Sequence, residues 1–207
     1  MNSVTEYGEF DEKFQETFEL FKRNIESDEE VGASFAVYKD GKPIIDLYGG
    51  FQDRDKKISW NKDTLVNVHS TSKGIVAMVV AKLIDNGDLE LEKKVCDYWP
   101  EFSENGKNDI RVKTLLSHQA GLYGWREPLD EMDFYKWDYV CELLAKQKPF
   151  HEPNEEICYH PKTIGFLVGE LIKRITKKSV GKNLHELLSK PLDAKCFIGT
   201  PETYHDN

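Results

Sequence analysis

Ser70-Thr71-Ser72-Lys73 sets a hydroxyl and an amine three residues apart. On a helix, positions i and i+3 share a face, so Lys73 would stand beside Ser70 within reach of its proton. A serine hydroxyl is a weak nucleophile until a neighbouring base activates it, and S-x-x-K supplies both parts. The same four residues have a plainer reading. Ser70 and Ser72 suit an N-cap, and Lys73 suits a solvated first turn. Neither reading is decided by the four residues alone.

Their surroundings carry the argument further. Asp63 to His69 reads as a short extended segment. Gly74 to Asp85 reads as a helix with Ile75, Val76, Val79, Val80, Leu83 and Ile84 apolar, stopped by Asn86-Gly87. The apolar positions cover more than one stripe, which predicts burial on most sides. Ser70 is therefore expected at the N-terminus of a rigid central helix, where unpaired N–H groups and the helix dipole favour a developing oxyanion.

Other chemistries fit poorly. Val68 and Ser72 flank Ser70 where G-x-S-x-G would need glycines, so an α/β-hydrolase elbow is excluded. The six histidines show no metal spacing. His185-Glu186 begins like H-E-x-x-H, but Ser189 stands in place of the second histidine. No metal and no cofactor is expected. His118 is read as structural rather than as a triad base, His160 as shaping a pocket mouth, Cys158 as a small buried residue, and Glu152, Glu155 and Glu156 as a solvated loop.

The 207 residues suffice for one domain with a substantial core. A net charge of -9 argues against nucleic acid as a partner. The longest apolar run, Ile75 to Ala81, is too short to cross a bilayer, and the N-terminus resembles neither a secretory signal nor a transit peptide. Cys96, Cys141, Cys158 and Cys196 form no C-x-x-C, and N-x-[ST] does not occur. Both features suit a reduced, cytoplasmic protein, while an even cysteine count leaves disulfides open.

Phe10, Phe14, Phe18 and Phe21 recur at helical spacing and predict an amphipathic helix from Glu9 to about Ile25. Ala33 to Tyr38 and Ile44 to Tyr48 flank Asp40-Gly41, a hairpin signal. Further helices are expected at Val112–His118, Asp133–Lys146, Thr163–Thr176 and, more weakly, Val180–Ser189. There is no repeat and no low-complexity linker. The plan is one hairpin followed mostly by helices.

Several stretches together resemble serine β-lactamase-like hydrolases, the group of class C β-lactamases, penicillin-binding D,D-peptidases and related carboxylesterases. Gly49-Gly50, Asp53, Trp60, Asp63-Thr64-Leu65 and Ser70 to Gly74 are similar to the family's approach to its nucleophile. Gly87 to Leu91 with Val95 to Pro100 resembles its next segment, and Val112 to Leu122 its leucine-leucine-serine-histidine block. Tyr159 to Gly165 resembles its tyrosine motif, and Pro191-Leu192 to Pro201 the segment after that motif. The resemblance runs from about residue 33 to the C-terminus, with 1–32 as an N-terminal helix and lead-in to a single partial domain. It implies an α+β, β-lactamase-like fold acting on a small ester or amide. Ser70 would be the acylated nucleophile with its own N–H as one oxyanion donor, Lys73 the acceptor of its proton, and Tyr159 the proton shuttle.

Two departures accompany the resemblance. Pro161 stands where the tyrosine motif often has Asn, which favours an esterase over an antibiotic-hydrolysing enzyme. The late K-T-G or H-x-G strand motif has no counterpart, and His205-Asp206-Asn207 does not match it. The expectation is a C-terminally truncated domain lacking the strands that complete the sheet, weak or inactive by itself. A non-catalytic remnant or interaction scaffold is the alternative. The incomplete sheet would leave an edge open to self-association.

Overall fold

The computed structural model describes residues 2–204, so the His205–Asn207 ending lies outside the described residues. The chain divides into two compact units, one up to Val66 and one from Asn67 onward.

The first unit is a four-stranded antiparallel sheet with one helix. Strands β1 (Asn2–Thr5), β2 (Gly8–Asp11), β3 (Gly32–Lys39) and β4 (Lys42–Gly50) lie in the order β1-β2-β4-β3, and α1 spans Gln15–Glu26. The β3–β4 hairpin forms where the sequence predicts it. Asp40 (φ 51°) and Gly41 (φ 74°) both take positive φ, the backbone of a two-residue turn whose twist matches the flanking strands. β3 is one edge of the sheet and β1 the other, and on β3 Phe35 and Tyr38 are exposed.

The phenylalanine stripe folds differently from the predicted single helix. Phe10 belongs to β2, opposite Ile45 of β4, and Phe14 ends a 3-10 turn (Glu12–Phe14); only Phe18 and Phe21 lie on α1. A strand turning directly into a helix presents the same spacing. Asp11, whose carboxylate accepts from the Lys13 N–H, marks the corner. The result is a second hairpin, β1–β2, that the sequence reading does not contain. The stripe is nevertheless core: Phe10 stacks on Phe18 at 4.6 Å, and both are buried with Ile45 and Leu47.

The second unit is helical: α2 (Ser72–Asp85), α3 (Val95–Tyr98), α4 (Val112–Leu116), α5 (Trp137–Lys146), α6 (Thr163–Thr176) and α7 (Val180–Leu184), which runs into a π turn over His185–Ser189. Among the described residues no strand follows β4. α6 is central. Leu167, Val168, Leu171 and Ile172 are buried in one cluster with residues of α2, α3, α4 and α5, and each such side chain contributes roughly 1.5–3 kcal/mol. Its one buried acid, Glu170, is satisfied by the Trp137 indole N–H (2.7 Å) and the Arg174 guanidinium (2.7 Å), which also bonds Glu101.

α2 departs from its expected burial. Val79, Val80 and Leu83 are enclosed, but Met78 is 49% exposed and Ala77 and Ala81 are open. An all-round apolar helix can be buried on every side, but its sequence does not supply the cover. The stretch before it, Thr64 to Val68, is irregular rather than a strand.

Candidate active site

Ser70 sits in a 3-10 turn, His69–Thr71, that feeds directly into α2. The turn is set by Asn67, whose side-chain oxygen accepts from the His69 N–H at 2.9 Å, and by His69 at φ 45°. One turn of helix then brings Lys73 onto the same face. Its Nζ donates to Ser70 Oγ at 3.2 Å. The N-cap alternative fails on this point, since no serine side chain caps the start of α2.

Tyr159 arrives from 89 residues away. Its phenol donates to Ser70 Oγ at 2.7 Å, and Lys73 Nζ lies 5.0 Å from the centre of its ring. All three predicted site residues therefore meet at one oxygen. Hydrogen bonding from Lys73, and next that with Ser70, holds the Tyr159 pKa below the ordinary phenol value. A proton can move among these three heavy atoms without any of them shifting.

The Tyr159 segment is irregular and is tied to the turn after α4. His118 follows the C-cap Ser117 with φ 62°. Its carbonyl accepts from the Cys158 N–H (3.1 Å), and its Nδ1 accepts from the His160 N–H (3.1 Å). His160 reciprocates. Its Nε2 accepts from the Leu122 N–H at 3.1 Å while its Nδ1 bonds the Cys158 carbonyl, which places the ring proton on Nδ1. Gly121 (φ 67°) closes the turn where any Cβ would meet the His151 carbonyl at 2.6 Å.

His160 takes a different place from the one expected. His160 is fully buried rather than at a pocket mouth, and burial, above all, pushes its pKa down to about 4. His118 spends its ring nitrogen and its carbonyl on backbone N–H groups, with its pKa lowered first by burial and then by the charge of Lys73. Cys158 is half-buried rather than buried. Lys107 is a buried residue that the sequence reading passes over. Its Nζ donates to the carbonyls of Glu104 and Gln147 above the Phe102 ring, and burial lowers its pKa to about 8. Only its place in Asn105-Gly106-Lys107, a polar turn between apolar anchors, hinted at a tether. Among the described residues no three His, Cys, Asp or Glu side chains are grouped to hold a metal, and no helix is long and apolar enough to cross a membrane.

Comparison with known proteins identifies the family and the fold. A family model described as Beta-lactamase matches residues 19–203. Esterase/beta-lactamase LipL of Mycobacterium tuberculosis is 34% identical over 171 residues, 82% of this chain and 39% of LipL. A family VIII carboxylesterase of known structure is 40% identical with a TM-score of 0.90, covering 94% of this chain and 54% of that one. A penicillin-binding protein homologue from Caulobacter crescentus is 36% identical with a TM-score of 0.91, covering 95% and 53%. The chain thus spans about half the length of these solved structures and less of LipL.

Proposed function

The chain belongs to the beta-lactamase family, and from that premise we propose that it is built as a serine hydrolase that cleaves an ester or amide through an acyl-enzyme on Ser70. The observation that carries the proposal is the convergence of the Tyr159 phenol and the Lys73 amine on Ser70 Oγ, at 2.7 and 3.2 Å.

Ser70 Oγ attacks the substrate carbonyl carbon while its proton passes to Lys73. The carbonyl π pair becomes an oxyanion facing the Ser70 N–H at the start of α2. Collapse breaks the bond to the leaving group, which departs as an alcohol or amine with a proton delivered by Tyr159, and the proton that Lys73 took from Ser70 passes to the phenolate, leaving the amine neutral again. Water then attacks the acyl ester, its proton returns along the same pair, and the free acid leaves with Ser70 restored. A phenol with a lowered pKa suits such a shuttle near neutral pH. Pro161 in the tyrosine motif and the likeness to a carboxylesterase favour an ester.

Turnover by this chain is proposed to be weak. Its relatives are about twice as long, and K-T-G or H-x-G does not occur here. In the family resembled, the strand bearing that motif gives the second oxyanion N–H, and one absent oxyanion donor costs about 10²–10³ in rate. The same half-length match supports the second reading, a non-catalytic remnant or interaction scaffold that retains the fold core. All four cysteines are free, in keeping with a reducing compartment such as the cytoplasm.

A fluorophosphonate probe separates the two. Slow labelling mapped to Ser70 by mass spectrometry, and lost in Ser70→Ala, is expected. A folded chain that stays unlabelled, or is labelled elsewhere, moves the reading to the scaffold.

A further inference from the structure

Tyr159 is 49% exposed and stands on a segment without regular structure. Neither a helix nor a sheet fixes its hydroxyl 2.7 Å from Ser70. The backbone on either side of it, however, is held by a single residue. The Cys158 N–H donates to the carbonyl of His118 and the His160 N–H donates to its imidazole, both at 3.1 Å. The His118 ring lies against the Tyr159 ring, with centroids 5.1 Å apart. We propose that His118 is a positioning residue for Tyr159, grasping the chain before and after the tyrosine so that the phenol lands on Ser70. The inference rests on the hydrolase reading for its purpose, but not for its geometry.

Its backbone angle is part of the device. At φ 62° His118 ends the α4 turn with both its carbonyl and its ring offered to the same passing segment. His160 answers through Leu122, so the clasp is made from both sides. Slack of about 1 Å at a reacting group costs roughly 10² in rate, and a loop tyrosine without the clasp would have that slack.

Two substitutions at His118 separate position from bulk, since Asn and Gly both tolerate a left-handed backbone. Asn offers an oxygen near the place of Nδ1; Gly offers nothing. The chain is labelled with ¹³Cζ-tyrosine, and the Tyr159 resonance, identified by its loss in Tyr159→Phe, is titrated by NMR. His118→Gly is expected to raise the Tyr159 midpoint toward the ordinary phenol value of about 10 and to slow Ser70 labelling about 10²-fold. His118→Asn is expected to stay close to wild type in both.

The proposal is overturned if His118→Gly leaves the midpoint where it was, or if a folded His118→Asn behaves like His118→Gly. Should His118→Gly fail to fold, His118→Ala, which likewise lacks the Nδ1 acceptor, takes its place: a raised midpoint supports the clasp and a wild-type titration refutes it. The titration needs no substrate. An unreactive Ser70 in the wild-type chain would sink the hydrolase reading and leave this test standing.

Discussion

Among the described residues, four apolar side chains, Phe10, Phe18, Ile45 and Leu47, form the buried core of the sheet unit, whereas the helical unit buries twenty-one in one cluster. The sheet unit adds an unpaired edge at β3 with Phe35 and Tyr38 in water. The helical unit holds its irregular stretches with buried polar ties, such as His160 to Leu122 and Lys107 to Gln147. Ser70, Lys73, His118 and Tyr159 all belong to that unit. The site geometry is therefore carried by the deeply cored half, and local stability should follow core depth: the sheet opens at a low free energy and α6 near the global one.

The largest test removes a core side chain from each half. Phe10→Ala is expected to cost about 3–5 kcal/mol and Leu171→Ala about 2–5 kcal/mol, similar losses set against unequal cores. In Phe10→Ala, amide hydrogens of β2 and β4 should exchange freely while those of α6 keep their protection and Ser70 labelling persists. In Leu171→Ala, protection should fall across the helices and labelling with it. If Phe10→Ala strips protection from α6 to the same degree, the two halves unfold as one and the comparison breaks.

A second test uses acid and bears on the helical unit alone. His160 is fully buried with its pKa near 4, against an ordinary value of 6.5. Between those values the unfolded chain binds a proton that the folded chain refuses, so stability rises with pH through this window and is lost as pH falls. A shift of this size corresponds to about 3 kcal/mol. Urea midpoints followed by the fluorescence of Trp137 in α5 and of Trp99 should drop between pH 6.5 and 4. His160→Gln should flatten that slope, and an unchanged slope would show the ring to be accessible after all.

Much of this architecture is legible in the residues, and the exceptions share a cause. α6 and the β3–β4 hairpin announce themselves because their signals are local: apolar spacing from Ile164 to Ile175, and Asp40-Gly41 between two apolar runs. Ser70, Lys73 and Tyr159, which the structure brings together, could be named as candidates because S-x-x-K is local and because the tyrosine segment resembles a family motif. The β1–β2 hairpin escapes notice because Phe10 keeps the helical spacing while its partner, Ile45, lies 35 residues on in β4. The exposed side of α2 escapes because burial depends on what covers a helix, which the helix's own sequence does not state. The clasp of His118 on His160 escapes because its bonds run between a side chain and the backbone 42 residues away, and backbone groups carry no sequence signature.

The smallest test sharpens the comparison at the sheet. Gly41 takes φ 74° with nothing within 4 Å of where a Cβ would stand. Gly41→Ala therefore creates no clash and changes only the backbone preference, a cost of about 1 kcal/mol. In a deeply cored unit such a loss is absorbed. In a sheet held by four buried side chains it is a sizeable share of the local stability, so β3 and β4 amides should exchange about fivefold faster while the Tyr159 titration stays where it was. Equal slowing or quickening in both units would mean that the turn reports on the whole chain, and core depth would then not be what sets the two halves apart.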